Sequence, residues 1–165
     1  LDSGFLNADI RIRYGDGSWR GEHSTRLFDD RIYPVCGPEF AQRHGLAVPE
    51  DLLAHPLLQL DSVDPAWTGW ELPLAQWHCD IRCASFRRFN NYVVALQAAE
   101  ENQGILLGWH SQVGALVERG KLVRIGSMEI AAPGSFYLAW AENRPLATSA
   151  LRLRDWLIEM GNKES

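Results

Sequence analysis

The feature that most constrains this chain's fold is the order of its local patterns: strand-type runs alternate with helix-type runs along its whole length. In ADIRIRYG, Ala8, Ile10, Ile12 and Tyr14 fall on one side of a period-two strand, and Asp9, Arg11 and Arg13 on the other. This predicts a strand over 8–14 with one buried face. RLFDDRIYPVC supplies strand formers from Arg31 to Cys36, and Gly37-Pro38 stops them before a short helix over 39–43 that closes near Gly45. Pro49, Glu50 and Asp51 open a helical turn that His55-Pro56 closes, and PLLQL, 56–60, reads as a brief apolar strand.

Residues 61–77 hold three tryptophans and two prolines without periodicity, which reads as an ordered loop too aromatic for a linker. HCDIRCASF alternates again as a strand, with Cys79, Ile81 and Cys83 on one face. Asn90 or Asn91 then caps a helix over NNYVVALQAAEENQ that Gly104 ends, and GILLGW is a buried-type strand. Ser111 reads as the N-cap of a helix carrying Val113, Leu116 and Val117 and ending at Gly120. KLVRI and SFYLAWAE are further strands. Pro145 opens the last helix, whose Leu146, Ala150, Leu153, Leu157 and Met160 share one face, with Gly161 as its stop. There is no internal repeat. Strands alternating with helices predict an α/β fold with a largely parallel sheet or sheets.

Composition narrows the function classes. At 165 residues the chain fits one domain or two small coupled lobes. No run approaches the roughly 20 apolar residues of a membrane span, and a formal net charge of −5 provides no basic field to hold nucleic acid. Three cysteines, an odd count without a signal peptide, suit a reducing cytoplasm. The first residue is not methionine, and a fragment of a longer protein is expected.

Candidate chemistry is sparse. RYGDGSW, 13–19, has only GxG and no following helix to cradle a phosphate, so its glycines are expected to serve a turn that Trp19 covers. His78 lies on the opposite strand face from Cys79 and Cys83, and the two thiols would stand about 13 Å apart along a strand. Buried free thiols are therefore preferred over zinc ligands. No histidine sits in a nucleophile-base motif and no GxSxG elbow is present, so no enzyme, metal or cofactor is indicated. Tryptophan is the informative excess: Trp77, Trp140 and Trp156 read as packing residues, whereas Trp67 and Trp109 sit beside turns where aromatics can line a small-molecule cleft. At FRRFNN, two arginines converge on a helix start, which suits either a small anion or an ordinary cap.

Taken in order, ADIRIRYGDGSW, RLFDDRIYPVCGPEFA, PEDLLAHPLLQL, NNYVVALQAAEENQGILLGW and LVERGKLVRI closely resemble the effector-binding domain of LysR-type transcriptional regulators, in the glycine-cleavage-activator-like branch. The resemblance implies an α/β, two-lobed, type II periplasmic-binding-protein-like fold lacking the N-terminal part of lobe 1. Lobe 1 would comprise 1–35 and 109–165, and lobe 2 would comprise 36–108. It implies a small-molecule effector, an amino acid or small carboxylate, bound between the lobes. The implied contacts are Tyr14, Gly15, Cys36, Pro38, Asp61, Ser62, Trp67, Phe89, Asn90, Asn91, Gly108 and Trp109.

It further implies a cytoplasmic, non-enzymatic sensor that self-associates as a dimer or tetramer and reaches DNA only through an N-terminal helix-turn-helix absent here. Arg11 departs from the small or apolar residue common in the family. The strands 8–14 and 135–142 would keep unpaired edges or exposed faces, and Val93, Leu96 and Ala99 would form a sticky surface. A transporter solute-binding protein shares the fold and is the alternative. An enzyme using Asp16 or Asp61 as base ranks third.

Overall fold

Strand formers and stop signals translate directly into most of the elements. A computed structural model describes residues 9–62 and 67–163. The strands are β1 (Arg11–Gly15), β2 (Glu22–Cys36), β3 (Pro56–Leu60), β4 (Ser85–Phe89), β5 (Ile105–Trp109), β6 (Val123–Arg124) and β7 (Ile130–Ala141). The helices are α1 (Pro38–His44), α2 (Pro49–Leu52), α3 (Glu71–Gln76), α4 (Tyr92–Glu100), α5 (His110–Glu118) and α6 (Thr148–Lys163).

The chain divides into two compact units. Unit 2 is the continuous stretch Arg31–Ala131, and unit 1 takes the chain up to Asp30 and from Ala132 on. Both joints differ from the anticipated lobe boundaries at 35/36 and 108/109. The reason lies in packing: Val113 of α5 and Leu122 before β6 belong to one buried cluster with Tyr33, Val35, Leu58, Ala95, Ala99 and Leu106. Residues sharing a core stay in one unit.

In unit 2, β3 pairs in parallel with β4 and β5, while β5 and β6 run antiparallel to the end of β2. The sheet is therefore mixed, not largely parallel. Every residue of β5 is buried, as a central strand covered on both faces requires. α4 starts where Asn91 Oδ1 accepts from Val93 N at 2.9 Å and Val94 N at 3.3 Å, and its Ala95 and Ala99 enter the core. Of the anticipated sticky surface only Val93 is exposed, joined by Val94. Ala99 is core and Leu96 packs against it.

In unit 1, β7 lies between β1 and β2, and the β1–β7 register runs from Arg11 opposite Ala139 to Gly15 opposite Ser135. β7 is thus paired on both sides, and of the two strands anticipated to have free edges only β1 ends the sheet. The buried face expected for β1 is not found. Ile12 is 56% exposed, whereas Arg11 and Arg13 are half-buried on the carboxylate of Glu22; Ala8 lies outside the described residues. Gly161 does not stop α6 but packs it: a Cβ there would come within 2.7 Å of the Leu27 carbonyl oxygen. The helix begins at Thr148, after Pro145, and leaves Leu153, Trp156 and Met160 exposed.

Three local readings change. Residues 71–76 are helix, because Pro73 sits in the first turn, where its missing N–H is not needed. The run 78–83 is a turn, with His78 at φ 59° and a single 3-10 turn at Ile81–Cys83 capped by Asp80. Cys83 is accordingly exposed and Cys79 half-buried, so of the three thiols only Cys36 is buried. Finally, α5 begins at His110 with Trp109 as N-cap, two residues before the expected cap Ser111.

Candidate functional site

The loop that follows β3 brings the most informative side chains together, all within unit 2. Trp67 stacks on Trp109, with ring centroids 4.9 Å apart and an interplanar angle of 28°. Tyr92, the first residue of α4, meets Trp67 edge-on at 5.5 Å. Trp109 is 1% exposed, at the end of the buried strand β5. Sequence reasoning named both tryptophans but missed Tyr92; its place one residue after the cap Asn91 was the available signal.

Beside this aromatic wall, Asp61, Ser62 and Trp67 line an open concavity with Gln59, Glu71 and Arg88. Arg88 Nη1 donates to Asp61 Oδ1 at 2.6 Å, and the Asp61 amide donates to the Phe89 carbonyl at 2.7 Å, which fixes the end of β3 against the end of β4. Gln59 is held in turn, its Oε1 accepting from Trp70 N at 3.3 Å. Trp70 itself is buried, with Nε1 donating to the Leu58 carbonyl at 3.0 Å. Nothing in the residue pattern separated Trp70, a core residue, from Trp67.

The helix start at FRRFNN is a self-contained cap. The Val93 and Val94 amides in the first turn of α4 donate to the Asn91 side chain, Arg88 is held by Asp61, and Arg87 Nη1 donates to the Gln103 carbonyl at 3.0 Å. Asn90 is exposed next to it.

Cys36 and Gly108 are buried, whereas Pro38 is exposed. Cys36 is fully buried, and burial pushes its thiol up to about 11. Pro38 opens α1, whose Phe40 amide donates to Asn102 Oδ1 at 2.9 Å. The space a Cβ would take at Gly108 is filled by Val113 and Val35. Tyr33 Oη lies 2.8 Å from His110 Nδ1, with the Arg124 guanidinium 3.8 Å over its ring, tying α5 and β6 to β2.

Tyr14 and Gly15 belong to unit 1. Tyr14 Oη accepts from Gly134 N at 2.7 Å and its ring tilts on Phe136 at 5.2 Å. The RYGDGSW segment is a turn: Ser18 N donates to Asp16 Oδ1 at 2.9 Å, and Gly17 sits at φ 84° where a side chain would strike the Tyr137 ring. Trp19 packs edge-on against Tyr137 and lies over Gly15. Among the described residues, no group of three or more His, Cys, Asp or Glu side chains could hold a metal, and no helix is long and apolar enough to cross a membrane.

The model of the LysR substrate binding domain family matches residues 7–162, and the chain belongs to that family. It is 27% identical over 153 residues to the glycine cleavage system transcriptional activator of Escherichia coli K12, covering 92% of this chain and 49% of that protein. It is 28% identical over 157 residues to the transcriptional activator AmpR of Pseudomonas aeruginosa, covering 95% of this chain and 51% of that one. The chain thus spans about half the length of the curated relatives it matches.

Among solved structures, the effector domain of Pseudomonas aeruginosa AmpR matches with a TM-score of 0.80 and 27% identity, over 99% of this chain and 77% of that one. The chain is an effector-binding domain of the LysR type, with the type II periplasmic-binding-protein-like fold of those domains. These relatives are regulators of transcription, not enzymes, and a transporter solute-binding protein is not favoured.

Proposed function

We propose that this chain is the small-molecule sensor of a cytoplasmic transcriptional regulator and catalyses no reaction. The observation that carries this reading is the stacked pair Trp67–Trp109 with Tyr92 at its edge. It is a rigid aromatic wall beside the Asp61–Ser62–Arg88 concavity, and such a pairing of apolar surface with a few fixed polar groups suits a small ligand. The effector is an amino acid or small carboxylate. Its contacts in unit 2 are drawn from Asp61, Ser62, Trp67 and the Phe89-Asn90-Asn91 corner, with the buried Trp109 backing Trp67 and with Cys36, Pro38 and Gly108 supporting them. Tyr14 and Gly15 are the proposed contacts in unit 1.

The ligand acts by binding one conformation of the domain better than another, because equal affinity would shift no population. In the intact regulator, self-associated as a dimer or tetramer, that shift alters the grip of a separate helix-turn-helix on DNA. The exposed Val93 and Val94 of α4 suit a self-association surface. The test is a thermal-shift screen of amino acids and small carboxylates on the complete effector domain, repeated with Trp67→Ala. A stabilising compound whose effect the substitution removes is the expected result. Absence of any stabilising compound, together with unchanged regulation by Trp67→Ala and Asn91→Ala in the intact protein, would overturn the reading.

A further inference from the structure

A second concavity, of about 250 Å³, lies wholly within unit 1 and shares no residue with the aromatic wall. Arg11 from β1, Arg20 from the turn before β2 and Arg144 from the turn after β7 stand around it. These guanidiniums are unevenly balanced. Glu22 is the common acceptor of Arg11 and Arg13, the latter at 2.6 Å, so one carboxylate serves two arginines. Burial raises the Glu22 carboxyl, but the hydrogen bonds from Arg13 and Arg11 outweigh it and hold the group below its ordinary value. Its charge is therefore committed.

Arg144 meets Asp9 at 3.3 Å with both side chains about half exposed, a surface pair of little intrinsic worth that a better placed anion can replace. Arg20 is exposed and forms no ion pair among the described residues. Three arginines, Arg11, Arg20 and Arg144, thus line the concavity with two acids, Asp9 and Glu22, and Glu22 also serves Arg13 from outside it; in a chain whose formal net charge is −5, this is a local positive excess against the sign of the whole.

The rest of the wall is apolar. Trp140 and Leu146 line it beside Ala139, and the Trp140 ring is held by Arg154, whose guanidinium lies 5.1 Å from its centroid, and by His23 at 6.0 Å. Guanidiniums match carboxylate and phosphate oxygens with paired, charge-assisted hydrogen bonds, and the cavity is smaller than those of drug-sized ligands. We propose that unit 1 carries a second binding site, for a small organic anion whose short apolar group rests on Trp140 and Leu146 while its oxygens meet Arg20 and Arg144.

Isothermal titration of the complete effector domain tests the site. The probes are isobutyrate and phenyl phosphate, with isobutyramide as the neutral control, against the wild type, the Arg20→Gln/Arg144→Gln double variant and Trp67→Ala. At least one anion binds the wild type, and which one does distinguishes carboxylate from phosphate ester. The neutral amide does not bind, the double variant weakens binding about tenfold or more, and Trp67→Ala leaves it unchanged. Both arginines are exposed, so the double variant keeps its thermal midpoint. No binding of either anion, equal binding of isobutyramide, or full binding by the double variant overturns the proposal. Loss on Trp67→Ala does so too, by assigning the anion to the aromatic wall instead.

Discussion

Trp67 and Trp109 form one stack, yet only Trp109 is sealed into the core: its ring is 1% exposed, whereas Trp67 lies half-buried on the loop after β3. The two positions therefore separate stability from sensing. Trp109→Ala is expected to cost about 3–5 kcal/mol by opening a cavity at the end of β5. Trp67→Ala loses mainly the aromatic contact, about 1 kcal/mol. Urea denaturation of both variants measures the difference.

Asn91 provides a second separation, since its Oδ1 serves two amides of α4 and a carboxylate can do the same. Asn91→Ala should lower unfolding free energy by about 1 kcal/mol, while Asn91→Asp retains most of it. Equal losses for the two would show that the amide nitrogen, not the cap, matters.

The cysteines should react in order of exposure. Cys83 is exposed, Cys79 is half-buried with its thiol raised by burial and by the charge of Glu50, and Cys36 is sealed with its thiol near 11. Titration of the native chain with a disulfide reagent is expected to give one fast thiol, one slow, and one that appears only on unfolding.

Stability should fall on mild acidification through one histidine. Burial, and then the charge of the neighbouring His44, push His55 below its ordinary 6.5, with Asp51 opposing but not prevailing. The His44 and His55 rings lie 4.3 Å apart, and Phe40 packs on both. Because the folded value is depressed, this contribution is fully present above the unfolded value and is lost as pH falls through and below it. Denaturant midpoints between about pH 7.5 and 5.5 should decline, and His55→Gln should flatten that part of the decline.

Much of this was legible from residues. PLLQL and ILLGW became β3 and β5 because apolar runs bounded by turns have few other uses, and Gly37-Pro38 and Asn91 marked the starts of α1 and α4. What misled was imitation. The alternation in HCDIRC copied a strand while its residues form a turn stitched by the Asp80 carboxylate to Arg82 N, and the aromatic crowding of 61–77 hid the short helix α3. The stripe of α6 was legible as a pattern, but of its members in the helix only Ala150 is buried and Leu157 half-buried, while Leu153 and Met160 are exposed. For the site, residue type pointed to Trp67 and Trp109, whereas their contact depends on a loop conformation that no periodicity encodes. The double service of Glu22 to Arg11 and Arg13 was equally invisible, because it joins β1 to a strand start that the polar run 22–30 concealed.

The division of the chain bears on how it acquires its structure. Unit 2 is continuous, so its parallel β3–β4 and β3–β5 pairings and its helices can form from one uninterrupted segment. Unit 1 is made from the two ends, and bringing β7 beside the first part of β2 closes a loop the length of unit 2, at an entropic cost that falls once unit 2 has already shortened the span. The unit that carries the aromatic wall is therefore expected to form first, with the seating of Gly161 on Leu27 expected late in folding.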